Sequence, residues 1–162
     1  MIRSVRHRKA AATVIVAIIA AALLSHPRHY LTLRDRDTGE LYGRYALGEG
    51  ERFSIGFTHS INLSPVIDVY QIENGDIYVE ETVYYHFGAG VQTQLNEGET
   101  LSYGEDSSMV VGNIHQKRNN VGYIVGTVYD HILTVDGQQI SLRDLCGRNA
   151  AVRFNYEFLM PW

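Results

Sequence analysis

Asn74-Gly75 stands between two segments of mixed apolar and polar residues, Val66 to Ile72 (VIDVYQI) and Asp76 to Tyr85 (DIYVEETVYY). A two-residue Asn-Gly link favours a type I′ turn, in which both central residues take positive φ, and that turn joins antiparallel strands. The pair commits the middle of the chain to a β-hairpin. Arg52 to Thr58 (RFSIGFT), just upstream, puts Phe53, Ile55 and Phe57 on one face by strict alternation, and Ser64-Pro65 breaks the chain before the hairpin begins. Tyr30 to Arg34 and Leu41 to Leu47 flank Asp37-Thr38-Gly39, which predicts a first hairpin. Further strand-like segments are Met109 to Ile114, Gly122 to Val135 (one bent strand or two), Gln139 to Leu142 after the Asp136-Gly137 turn, and Ala151 to Leu159. Only Leu142 to Gly147 suits a helical turn. Eight to ten short strands at regular spacing predict an all-β domain over residues 30–162, an antiparallel sandwich or a partly open barrel. Val91 to Ser108 is polar, contains Gly98 and Gly104, and is expected to be a long loop.

The first 29 residues follow other rules. Arg3, Arg6, Arg8 and Lys9 precede Ala10 to Leu24 (AAATVIVAIIAAALL), fifteen residues of which only Thr13 is polar. At a helical rise of about 1.5 Å per residue the run covers roughly 22 Å, short of a hydrocarbon core of roughly 30 Å. It suits a short transmembrane anchor or the apolar part of a signal segment. The small residues Ala20 to Ala22 lie inside the run and are followed by Leu23 and Leu24, not by a polar start, which favours an uncleaved anchor. Cys146 is the sole cysteine, so no lipoprotein cysteine follows the run. A basic tail before it and a long acidic segment after it predict the tail inside and the β domain outside the membrane, in the periplasm or at the cell surface.

Charge and cysteine usage exclude other classes. After Lys9 the chain has 10 basic and 18 acidic residues, and such an acidic body lacks the cationic face that phosphate binding needs, so nucleic acid is not an expected partner. Hydrophobic residues at 45% and charged residues at 20% match a chain with a packed core. A single cysteine permits no internal disulfide and no cysteine-based zinc site. Cys146 itself is expected to pack as a small hydrophobe.

No cofactor or metal motif is apparent. The chain has no G-x-S-x-G elbow, no H-E-x-x-H and no phosphate loop, and Gly88-Ala89-Gly90 lacks the third glycine of a dinucleotide site. Asp35-x-Asp37-x-Gly39-Glu40 resembles the start of a calcium loop, but the twelfth position is Ala46, which has no ligand atom to give. The densest polar cluster runs from Phe57 to Asp68. There His59 and Ser60 end one strand and Asp68 lies on the next, so an imidazole, a hydroxyl and a carboxylate are candidates for a catalytic triad or a binding site. Adjacent residues on an extended chain face opposite ways, so His59 and Ser60 converge only if the chain bends. Phe87-Gly88-Ala89-Gly90 allows a bend or close approach of backbone to a ligand. Eleven tyrosines and Trp162 also suit a glycan-binding face.

Taken in order, F-T-H-S-I at Phe57 to Ile61, Pro65, Asp68 before V-Y, F-G-A-G at Phe87 to Gly90, and H-I-L-T-V-D-G at His131 to Gly137 followed by I-S-L form a pattern spanning Tyr30 to Phe158. It resembles the exported proteins of the domain of unknown function 1850 family. The resemblance implies an extracytoplasmic β domain of bacteria or archaea, often encoded beside TAXI-type TRAP transporters, which import organic anions. On that basis the expected function is that of a non-enzymatic, membrane-anchored accessory protein. It would bind the transporter's binding protein, its permease or a small ligand through His59, Ser60, Asp68, Phe87, Gly88 and Gly90. The alternatives are a small exported hydrolase using His59, Ser60 and Asp68, and a glycan-binding module.

Overall fold

The computed structural model describes residues 14–16, 28–61, 63–85 and 94–160. Twelve strands occur among them: β1 (Arg28–Asp35), β2 (Leu41–Ala46), β3 (Arg52–Thr58), β4 (Pro65–Glu73), β5 (Asp76–Tyr84), β6 (Thr100–Tyr103), β7 (Met109–Gly112), β8 (Gln116–Lys117), β9 (Val121–Ile124), β10 (His131–Val135), β11 (Gln138–Ser141) and β12 (Ala151–Leu159). One short helix, α1 (Leu142–Cys146), follows β11. Compactness divides the chain into Tyr30–Glu157 and a smaller unit, Met1–His29 with Phe158–Trp162. Within the smaller unit the His29 and Phe158 rings lie 4.9 Å apart. The expected anchor at Ala10 to Leu24 lies outside the described residues except for 14–16, which are helical. Among the described residues no helix is long and apolar enough to cross a membrane.

Two antiparallel sheets form a sandwich. One has the order β2-β1-β12-β9; the other runs β11-β10-β3-β4-β5-β7-β6, with β8 pairing alongside β5. Alternation decides which residues lie between them. Phe53 and Ile55 of β3 pair with Val135 and Leu133 of β10, and all four are buried. They meet Leu31, Leu33, Val152 and Phe154 of the smaller sheet in one core. The Phe53 and Phe154 rings, one from each sheet, lie 6.0 Å apart. Each such side chain contributes about 1.5 to 3 kcal/mol when fully buried, so this core is the main stabilising element.

The turns behave as their residues require. Asn74 and Gly75 have φ of 52° and 77°, and Asp136 and Gly137 have 49° and 70°, the two-residue positive-φ pattern of a tight hairpin. Ser141 caps α1 by accepting the Asp144 N–H at 3.0 Å, which ends β11 and starts the helix together. Cys146 packs against the core, and burial, helped by the negative charge of Asp35, pushes its thiol up to about 11. One expectation needs correction. The polar stretch Val91 to Ser108 contains β6, which pairs with β7 although all four of its residues are exposed. Of the two readings of Gly122 to Val135 the two-strand one holds, with β9 and β10 in different sheets. The two-residue β8 escapes an alternation argument because it is too short to show a period.

The β4–β5 pairing carries an irregularity that reshapes the sheet around it. The register runs Asp68 to Thr82 and Val69 to Glu81, then jumps to Tyr70 opposite Val79, leaving Glu80 as an extra residue. Beyond this bulge β5 pairs with β8 through Tyr78 and Val79, whereas before it β5 pairs with β7 through Thr82 to Tyr84. The connection arches between the two, with Asn113 and His115 both at positive φ. A bulge thus splits one strand between two neighbours and opens space beside the pleat.

Candidate functional site

Two cavities adjoin the inner face of the larger sheet. The first, about 400 Å³, lies at the rim where β3 and β10 end, and is lined by Phe57, His59, Ser60, Tyr129 and His131 among others. Phe57 pairs with His131 across the strands, and their rings stack at 5.2 Å with planes 15° apart. Gly126 sits where a Cβ would fall 1.9 Å from the Tyr129 carbonyl oxygen, so only glycine lets the 126–129 loop fold this tightly. The Gly126 N–H donates to His131 Nδ1 at 3.2 Å. On the facing loop the His59 backbone N–H donates to the Ser64 carbonyl at 2.9 Å, and the Leu63 N–H donates back to the His59 carbonyl at 2.9 Å. The Ile61 N–H reaches His59 Nδ1 at 3.4 Å.

These bonds fix the imidazoles chemically. A ring nitrogen that accepts an N–H carries no proton, so in each neutral ring the hydrogen sits on Nε2. Burial pushes the His131 pKa down and favours that neutral form; Asp130 opposes the shift and Arg143 adds to it. Asp130 is hydrogen-bonded nearby through both of its oxygens. It accepts the Ser141 hydroxyl, the Arg143 N–H at 3.0 Å and the His131 N–H at 2.7 Å. Burial works against its ionisation, but these donors win and hold its carboxyl below the usual range. Arg143 also donates to the Val128 carbonyl at 3.0 Å, tying the cavity loop to α1.

The second cavity, about 480 Å³, lies at the β4–β5 bulge, with Asp68, Tyr70 and Thr82 in its lining. The Thr82 hydroxyl donates to one Asp68 oxygen at 3.0 Å and the Tyr123 hydroxyl donates to the other at 2.8 Å. The Tyr70 and Tyr123 hydroxyls are 2.7 Å apart. Tyr123 spends its single hydrogen on Asp68, so Tyr70 is the donor to Tyr123. Burial, then the charge of Asp68, raises the Tyr70 pKa, and burial with Tyr70 and Asp68 beside it raises that of Tyr123. The Tyr123 ring meets Phe57 at 6.1 Å and His131 at 5.6 Å, both edge-on. Tyr123 therefore stands between the two cavities, with its ring toward one and its hydroxyl toward the other.

The structure brings His59 and Ser60 to the rim cavity and places Asp68 in the lining of the bulge cavity. Among the described residues no hydrogen bond joins the His59 side chain to Ser60 or to Asp68. Phe87, Gly88 and Gly90 lie outside the described residues. His131, Tyr123 and Tyr129 were not singled out by the sequence; the alternation that puts His131 on the face of Leu133 and Val135 was the available signal for the first. Among the described residues a cation-ligand cluster occurs at Glu73, Glu80 and His115, with His115 Nδ1 2.9 Å from Glu80 and 3.9 Å from Glu73. The Tyr78 ring stacks on His115 at 4.8 Å.

The family model described as Domain of unknown function (DUF1850) matches residues 53–142, more than half of the chain. Those bounds hold both His59 and His131, and the whole Asp68 network. No curated protein and no solved structure matches the chain.

Proposed function

We propose, for a chain that belongs to the DUF1850 family, a non-enzymatic accessory role outside the membrane beside a TAXI-type TRAP transporter. In this reading the Ala10 to Leu24 run tethers the β domain, and the rim cavity takes up a carboxylate group carried by a transporter component or by a small organic anion. The observation that carries the reading is the paired hydrogen bonding of His59 and His131. With Nδ1 of each ring accepting a backbone N–H, each neutral ring has an Nε2–H to donate, and two such donors beside the Ser60 hydroxyl suit a carboxylate. Phe57 and Tyr129 supply apolar walls for the rest of the ligand. Exposed Ile61 and Leu63 on one loop, with Val128 and Tyr129 on the other, give the rim an apolar margin suited to a protein partner.

The hydrolase reading has less support. A His59 ring protonated at Nε2 has no free nitrogen to take the Ser60 proton, and Asp68, which would orient it, is held by Thr82 and Tyr123. The test is photocrosslinking from Val128 in native membranes, with identification of what is joined. Capture of the transporter's binding protein or permease, lost in His59→Ala with His131→Ala, is the expected result. Crosslinking unaffected by both substitutions sinks the reading, and so does turnover of a model ester that disappears in Ser60→Ala.

A further inference from the structure

The bulge cavity carries an inference that does not rest on the rim cavity. Asp68 receives only hydroxyl donors, from Thr82 and Tyr123, and among the described residues no lysine, arginine or histidine lies within ion-pair distance of it. Arg118 lines the same cavity, and among the described residues no carboxylate lies within ion-pair distance of its guanidinium. The lining thus holds a carboxylate with no cation and a guanidinium with no anion, not bonded to each other, while its second carboxylate, Glu99, accepts from the Asn96 backbone and side-chain N–H groups. Opposite charges left unpaired in one cavity are both satisfied by a molecule that carries an ammonium and a carboxylate a few bonds apart.

The hydrogen-bond directions sharpen the polarity of the Asp68 end. Tyr70 donates to Tyr123 and Tyr123 to Asp68, so the Tyr70 oxygen keeps acceptor capacity on the cavity side, and each Asp68 oxygen keeps a further lone pair. That end is a set of acceptors without spare donors, which suits an ammonium group. In the same lining Arg118, whose charge also reaches Tyr70, offers the paired N–H donors that match a carboxylate, and the Gln116 and Asn120 amides serve either group. Val79, Ile114 and Val121 give the lining its apolar part. We propose that this cavity binds a zwitterionic small molecule of the α-amino-acid class with an apolar side chain, its ammonium at Asp68 and Tyr70 and its carboxylate at Arg118.

The test uses the 162-residue chain in detergent, with calorimetric titration of L-leucine and L-phenylalanine, their N-acetyl derivatives and their decarboxylated amines. Both amino acids are expected to bind, and removal of either charged group to weaken binding at least about tenfold, the loss of one charge-assisted contact. Arg118 is exposed and has no structural hydrogen bond through its guanidinium among the described residues, so Arg118→Gln should fold normally. It should weaken the amino acids about tenfold and leave the amines unchanged, while Tyr70→Phe should weaken both. Failure of both amino acids to bind would overturn the proposal. So would amines binding as tightly as their parent amino acids, or Arg118→Gln having no effect. His59→Ala, which touches only the rim cavity, should leave amino-acid binding intact, and its loss in that variant also counts against a separate site.

Discussion

Tyr123 touches lining residues of both cavities, which are secured in opposite ways. At the rim, each histidine is held by an amide of its own loop: Ile61 N–H on His59 and Gly126 N–H on His131. At the bulge, one carboxylate on β4 gathers hydroxyls from β5 and from β9, and β9 belongs to the other sheet. Polar groups tied locally add little to the union of the sheets and are open to change. A carboxylate that links the sheets is part of the fold, and its binding function, if removed, takes stability with it.

The largest expected effect tests that contrast directly. Asp68→Ala strips the acceptor from Thr82 and Tyr123, and both hydrogen bonds are partly buried, so the variant should lose about 1 to 3 kcal/mol in a urea melt. A loss below about 0.5 kcal/mol would show that the network does not join the sheets. Next comes the tight loop of the rim. Gly126→Ala forces a methyl group into the Tyr129 carbonyl, so the loop must shift and the N–H to His131 must break. The cost should be about 1 to 3 kcal/mol, typical of overpacking, with the rim partner lost at the same time. If melts and crosslinking both match the parent chain, the close approach is not essential to the site.

Much of the fold, and only part of the site, was legible in the residues. Asn74-Gly75 and Asp136-Gly137 are where their positive-φ preference puts them, and the β3 alternation gives the core face correctly because one-sided burial fixes the period. The β6 pairing was illegible since Thr100 to Tyr103 is exposed along its whole length, and an edge strand bearing no core side chain shows no apolar period. His59 and Ser60 reach one cavity because they lie side by side on a single loop. Asp68, near them in sequence, was drawn elsewhere by the bulge at Val69/Tyr70, a feature of pairing register that no local motif announces. His131 shows the converse: it is far from Phe57 in sequence, and only the β3–β10 register stacks the two rings.

A smaller effect separates the rim from the rest by pH. The folded-state pKa of His131 is lowered from 6.5 by burial, so on acidification the unfolded chain takes up this proton first. Stability from His131 is therefore complete above the unfolded value and is lost as pH falls through about 6.5 to the lower folded value, below which the slope ends. The lowered carboxyls Asp35, Asp76, Asp106 and Asp130 act in the same direction but start from 3.8, so their losses come at more acid pH. His131→Gln keeps an acceptor for the Gly126 N–H and removes the titration. Its stability, followed by urea melts between about pH 7 and pH 5, should fall less steeply than that of the parent chain, and equal slopes would mean that His131 is not the neutral, buried ring described.

The smallest effect on stability belongs to Ser60, and it is the most discriminating for function. Ser60 is exposed, and among the described residues no hydrogen bond ties its hydroxyl to the fold, so Ser60→Ala should alter stability by no more than about 0.5 kcal/mol. A carboxylate held at the rim would lose one donor of three, since His59 and His131 each still offer an Nε2–H. Binding should weaken by a modest factor, clearly less than in the double substitution of both histidines. A nucleophile behaves otherwise, because its removal ends turnover and leaves ligand affinity nearly whole. Crosslinking yield from Val128, read beside ester turnover in the same preparations, separates the two: a graded fall across Ser60→Ala, His59→Ala and the double histidine variant fits three donors sharing one anion. An all-or-none response to Ser60 alone would assign the rim to a chemistry in which the local bonds of His59 must break before it can act.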